Sequence, residues 1–263
     1  LNLLQENHFK DLNKTIRAGK GFSDHLSSTV GEIKAKDMNA LNKEFAFKFE
    51  KKGCMRNYRL EMSQDNKYRK ELPPHYFHIS FISRQEEKDG YYFLREVFRS
   101  IQSRKFPKFN HFKGLLSNIS WIIRMIVWRY YHKRLLRPDN AIAPLNIVLE
   151  QSVDDRNRIT LDSNNEDAFG NSCPKIEWRV TDQDCKNLVS VCENFKSVWD
   201  NSRLAKLGEL VLKDKALLCK EIGQSTGIYH PTSSTAFGTS EDFVVDRITN
   251  SIEDYVKEQN ETD

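Results

Sequence analysis

Four short stretches between Ser27 and Ser83 constrain this fold more than anything else in the chain. "STVGEIKAK", "EFAFKFE", "MRNYRLEM" and "HYFHISFIS" alternate or run apolar and aromatic over strand lengths, the signature of a half-buried β-strand. The segments between them, "KKG", "SQDN" and "ELPP", read as turns. Two helical patterns follow as a separate block, Tyr91–Gln102 and Leu115–Tyr131, parted by "SRKFPKFNHFKG". "APLNIVLEQ", "RITL" and "KIEWRV" return to strand texture, and the last leads into "TDQDCKNLVSVCENFKSVWD". There Thr181 is a natural N-cap with Asp184 at the third helical position, close to a capping box. Leu188, Val191, Cys192, Phe195 and Val198 follow at helical spacing. Residues 1–26 are polar and helix-like, ending at "GKGFSDHL".

Strands in some blocks and helices in others imply an α+β fold with a mainly antiparallel sheet. The expected sheet has about six strands, at Ser28–Lys36, Glu44–Glu50, Met55–Met62, His75–Ser83, Ala143–Gln151 and Lys175–Val180, with helices packed on one face. No GxGxxG follows a strand, so the chain offers no dinucleotide-binding βαβ unit.

Composition excludes several classes. At 263 residues the chain can hold one large domain or two small ones. Its 41 basic and 37 acidic residues leave a net charge of only +4, which makes no global case for nucleic acid. Five cysteines, an odd number with no CxxC pair, suit free thiols in a reducing, cytoplasmic setting and no metal site. The first residue is Leu1 and no signal segment follows, so a fragment of a longer chain is expected. The most apolar run, Gly114–Tyr131, is interrupted by Arg124 and Arg129 and falls short of the roughly 20 residues a membrane span needs.

Four local signals bear on function. Residues 84–137 hold 13 Lys or Arg against four acids, about +9, with aromatics interleaved. That pattern suits a surface for phosphates, an anionic glycan or a membrane face, or simply two amphipathic helices with solvated basic faces. "HISF" at His78 and "HPTS" at His230 fit the loose pair of His-x-Ser/Thr tripeptides of a two-histidine phosphoesterase, although His78 also suits a half-buried strand position. Asp24–His25 could form an acid–base pair, but neighbours on one strand point to opposite faces. His230 precedes Pro231, which biases it towards an extended backbone, and Ser233, Ser234 and Thr235 stand close by in a polar loop.

Taken in order, four stretches resemble the glucose–methanol–choline (GMC) flavoprotein oxidoreductases. "GKGFSDHLSSTVG" resembles the family's passage from flavin domain to substrate domain. "LEQSVDDRNRITL" looks like its Glu-Gln strand pair, through Glu150, Gln151, Arg158, Ile159 and Leu161. "KIEWRVTDQD" is similar to its entry into the C-terminal helix. "YHPTSSTAFG", followed by Val244, Val245 and Asp246, resembles its His-Pro-x-Gly-Thr-x-x-Met-Gly segment. The resemblance implies a GMC-type substrate domain at 27–263, truncated at its C-terminus, with 1–26 as the junction to a missing FAD-binding domain. It further implies an FAD-dependent oxidoreductase acting on the CH–OH group of a small alcohol, sugar or polyol. His230 would accept the proton, and Asp24, His25, Ser234 and Asp246 would bind the cofactor. Ser233 replaces the motif's Gly and Ala236 its usual Arg, and no second catalytic residue follows Asp246, so the fragment alone is expected to be inactive. A non-catalytic basic binding module on the same fold is the alternative from another class.

Overall fold

The computed structural model describes residues 19–50, 54–63, 71–83, 88–224 and His230. The chain forms two compact units, one of Leu1–Leu26, Leu149–Lys186 and Ile222–Asp263, the other of Ser27–Val148 and Asn187–Glu221. In chain order the elements are β1 (His25–Ala35), α1 (Met38–Phe45), β2 (Lys48–Phe49), β3 (Met55–Arg56), β4 (Leu60–Glu61), β5 (His75–Ile79) and β6 (Ile82–Ser83). Then come α2 (Gly90–Gln102), α3 (Phe109–Ser117), α4 (Ile119–Val127), a π-helical turn at Trp128–His132, β7 (Ala141–Ile142) and β8 (Pro144–Glu150). β9 (Arg158–Glu166), β10 (Ser172–Glu177), α5 (Asp182–Asp200), a 3-10 turn at Arg203–Lys206, β11 (Gly208–Leu212) and α6 (Lys215–Gly223) complete them.

The main sheet is five-stranded and antiparallel, in the order β11-β1-β8-β5-β4. The expected α+β class with a mainly antiparallel sheet is what the chain forms. The sheet's interior is built from Val30 and Ile33 of β1, Phe77 of β5, Leu145 and Ile147 of β8 and Leu210 of β11, all buried. Every second residue points to the same side of a strand, so 145 and 147, like 77 and 79, share a face. Along α5, Leu188, Val191 and Trp199 are buried, Phe195 stacks on Phe77 at 4.1 Å, and the Trp199 indole N–H donates to the Gly208 carbonyl at 3.0 Å. Val198, expected in that stripe, is exposed. The 3.6-residue period carries the inward face from Phe195 to Trp199 and leaves 198 outside.

Several expected elements differ. Glu44–Glu50 is no strand: α1 runs through Phe45, and only Lys48–Phe49 pairs, with β3. Asp37 starts the helix by accepting from the Asn39 and Ala40 amides at 2.8 and 3.2 Å, an N-cap that outweighs the aromatic texture. Met55–Met62 breaks into β3 and β4, and His75–Ser83 breaks after Ile79, with β6 pairing β7 instead. The single helix expected over Leu115–Tyr131 is two helices and a π turn, divided at Asn118. The Asn118 side chain donates to the Gly114 carbonyl at 2.8 Å, and its φ is −112°, so a side-chain bond competes with the helix ladder there. "GKGFSD" is not helical, because Gly19 and Gly21 take φ of 79° and 73°; residues 1–18 lie outside the described residues. β11, which no sequence pattern flagged, forms a sheet edge beside β1 with Gly31 opposite Leu212. A Cβ at Gly31 would lie 2.4 Å from the Val211 carbonyl oxygen, so the strands approach this closely only with glycine at that position.

Cys185 and Cys219 are disulfide-bonded, whereas Cys54, Cys173 and Cys192 are free. The expectation of free thiols is corrected at those two positions. Burial pushes the Cys192 thiol up to about 12, which leaves it an inert apolar group. Among the described residues, no helix is long and apolar enough to cross a membrane.

Candidate functional site

The first unit gathers the chemistry-bearing residues around a few buried polar side chains. Its base is the turn before β9, where the Asn157 amide donates to the Asp154 carbonyl at 2.9 Å. The half-buried Asp154 carboxylate takes the Arg156 guanidinium at 2.6 Å, which holds it down at about 2. Asn157 is fully buried. Its side chain donates to the Arg179 carbonyl at 3.0 Å and accepts from the Arg179 amide at 2.9 Å, and its carbonyl accepts from the Phe22 amide at 3.0 Å. The Ile159 amide reaches the Gly19 carbonyl at 2.7 Å. The "GKGF" segment is therefore laid against the start of β9 by backbone bonds, which the left-handed glycines allow. Across the β9–β10 hairpin, Arg158 pairs with Glu177 at 2.7 Å and holds that carboxyl below its ordinary range.

Gln151, just past β8, is the hub. Its side-chain oxygen accepts from the Trp178 indole at 2.7 Å and the Asp24 amide at 3.3 Å. Its nitrogen donates to the Arg179 carbonyl at 2.8 Å and to Asp184 at 3.2 Å. Buried primary amides need this degree of satisfaction, because each orphaned donor or acceptor costs about 1–3 kcal/mol. Asp184 closes the expected capping box. Its carboxylate accepts the Thr181 amide and hydroxyl, each at 2.8 Å, while the Thr181 hydroxyl accepts the Asp184 amide at 3.2 Å.

On this base sits Asp24, itself buried. One of its oxygens, Oδ1, accepts the backbone N–H of His25 at 2.7 Å and of His230 at 2.9 Å. The two imidazoles meet edge to face, with ring centroids 5.8 Å apart. His25 is half-buried and His230 exposed. The structure thus brings together three of the residues singled out in the sequence, Asp24, His25 and His230, although they lie at opposite ends of the chain. The Asp24 carboxylate accepts the backbone N–H of the next residue. That fixes the main chain of both histidines and leaves the rings to other partners. Ser234 and Asp246 lie outside the described residues.

Residues 153–253 match the family model described as GMC oxidoreductase, that of the family's C-terminal domain. The match supports a GMC oxidoreductase C-terminal domain over that stretch. No curated protein matches the chain. The matched stretch takes in the turn at Asp154, the hairpin, Asp184 and His230, while Asp24, His25 and Gln151 precede it in the sequence. Gln151, Asn157, Trp178 and Arg179 were not foreseen as site residues. Gln151 stood in a family-like stretch, and Asp184 was visible only as a cap.

His78 sits in β5 of the other unit, beside Tyr76 at 6.2 Å, with its buried Nδ1 unpartnered among the described residues. Burial, aided by the Arg59 charge, lowers its pKa from 6.5, which favours the neutral ring. Among the described residues, no group of three or more His, Cys, Asp or Glu side chains is placed to hold a metal ion.

Proposed function

We propose that the GMC domain is the substrate domain of an FAD-dependent oxidoreductase acting on CH–OH donors such as alcohols, sugars or polyols, with His230 as proton acceptor. In this reading residues 1–26 lead in from a flavin-binding domain and 27–263 belong to the substrate domain. The observation that carries it is the tether of His230: a buried carboxylate holds its backbone, and its ring is exposed beside His25 within a stretch of GMC sequence.

That arrangement fits a flavin site. Asp24 and His25, with Ser234 and Asp246 later in the sequence, would be the residues that hold the cofactor. FAD bound there would take the hydride from the carbinol carbon. The protein's own part is to orient the alcohol and to receive its hydroxyl proton at the His230 ring, whose near-neutral basicity suits a general base. Substrate and base held in one pose also lower the entropic part of the barrier.

The test is made on the intact, FAD-loaded polypeptide. His230→Ala is expected to slow flavin reduction by alcohol about 10²–10⁴-fold, the usual weight of a general base. Substrate affinity should change far less, because the base acts on a proton that moves in the transition state. Ser233→Gly, which restores the motif residue, should hold or raise the rate. Flavin reduction at the wild-type rate in His230→Ala would refute the assignment.

A further inference from the structure

Helices α2, α3 and α4 pack on one another through their inner faces. Tyr91 of α2 lies edge-on to buried Trp121 of α4, and Gly114 of α3 gives room to the Phe93 ring. Their outer faces are apolar as well. Phe109, Phe112 and Leu116 on α3 and Ile119, Ile123 and Ile126 on α4 recur every three or four residues, straight through the Asn118 junction, and all are exposed. Leu116 is 72% and Phe109 80% exposed. The same spacing reaches Tyr130, and the α2–α3 connection adds Phe106, 91% exposed, between Lys105 and Lys108. From Val97 to Pro138 the chain has ten Lys or Arg and no Asp or Glu. Arg99 and Arg124 have carboxylate partners just outside that stretch, at Glu96 and Asp139. Arg104, Lys105, Lys108 and Lys113 are exposed and have none among the described residues.

An outward apolar stripe of this length, rimmed by unpaired cations, is far from an ordinary solvated helix face. We propose that it docks on an anionic lipid surface, with Phe106, Phe109 and the α3–α4 stripe at the headgroup–acyl boundary and the cations among the lipid phosphates. Charge selects this occupant. The three-and-four spacing would also serve a helix–helix seam between two copies, but the copies would bring positive against positive with no acid anywhere in the stretch. A nucleic acid would engage the cations and leave the isoleucines and phenylalanines in water. An anionic bilayer satisfies both, as interfacial amphipathic helices do.

The full chain, as it stands, is sedimented with phosphatidylcholine vesicles containing about a third phosphatidylserine, and with phosphatidylcholine alone. The wild type is expected to partition onto the anionic vesicles, to lose that binding as salt rises, and to bind the neutral ones weakly. Lys105→Gln with Lys108→Gln should weaken binding about 25-fold, at roughly fivefold per cation near such a surface. Phe106→Ser with Phe109→Ser should weaken it more than tenfold. These side chains stand in solvent, so unchanged far-UV circular dichroism is expected and checks that the fold is kept. Wild-type protein that stays in the supernatant at low salt overturns the proposal, and so does equal binding to neutral vesicles or binding indifferent to both double variants. A dimer in sedimentation equilibrium that Ile123→Asp dissolves, with no vesicle binding, overturns it in favour of a second copy.

Discussion

Asp184→Asn removes one oxygen from a carboxylate that serves four donors in the first unit. In the wild type, Oδ1 accepts the Ser152 amide at 2.9 Å, and Oδ2 accepts the Thr181 amide, the Thr181 hydroxyl and the Gln151 side-chain nitrogen. An asparagine does best with its oxygen in the Oδ2 place, which keeps three of these. Its NH₂ then faces the Ser152 N–H, donor against donor. One charge-assisted bond is lost and a part-buried N–H is orphaned, about 1–3 kcal/mol. The missing negative charge in the first turn of α5 adds about 0.3–1 kcal/mol. The expected cost is therefore about 1.3–4 kcal/mol. Thr181→Val deletes only the hydroxyl's share of the capping box and should cost about 1 kcal/mol. Urea unfolding of both variants, at matched slope, measures the difference, and hydrogen exchange of the Ser152 amide reads the predicted orphan directly. An Asn variant no weaker than Thr181→Val, with the Ser152 amide still protected, would refute the reasoning.

Asp24→Ala should free the His230 backbone and abolish the His25–His230 ring contact, read as loss of the nuclear Overhauser effect between the rings; Asp24→Asn, whose one oxygen can still accept both amides, should keep it, and an effect surviving in the Ala variant would sink the tether. Gly31→Ala forces a methyl to 2.4 Å from the Val211 carbonyl oxygen, so thermal unfolding should show a loss of about 1–3 kcal/mol from overpacking, and a neutral result would mean that β11 is not held against β1 at this point. His78 gives a pH dependence. Its folded pKa lies below the unfolded 6.5, so the unfolded chain binds more protons on the acid side and stability falls as pH drops through 6.5 towards the folded value. His78→Gln should flatten that part of the stability profile, and an unchanged slope would place the titration elsewhere.

What the sequence revealed was what repeats at a short period. β1, β5, β8 and α5 could be read because strands and helices advertise themselves at periods of 2 and 3.6 residues, and the Thr181–Asp184 cap because its partners are three residues apart. Phe45 went wrong because one well-placed carboxylate, Asp37, outranks a run of phenylalanines that would suit a strand equally. β11 was missed because "GELVL" is five residues long and is made a strand by its neighbour. The candidate site follows the same division. His230 was conspicuous beside Pro231, and Asp24 stood next to His25, yet the bond joining them spans 206 positions and has no period to betray it. Nor does the hub at Gln151, whose four partners come from Asp24, Trp178, Arg179 and Asp184. The backbone of His230 is tied to a carboxylate in "GFSDHL", so its position depends on Asp24 and on the buried amides beneath it.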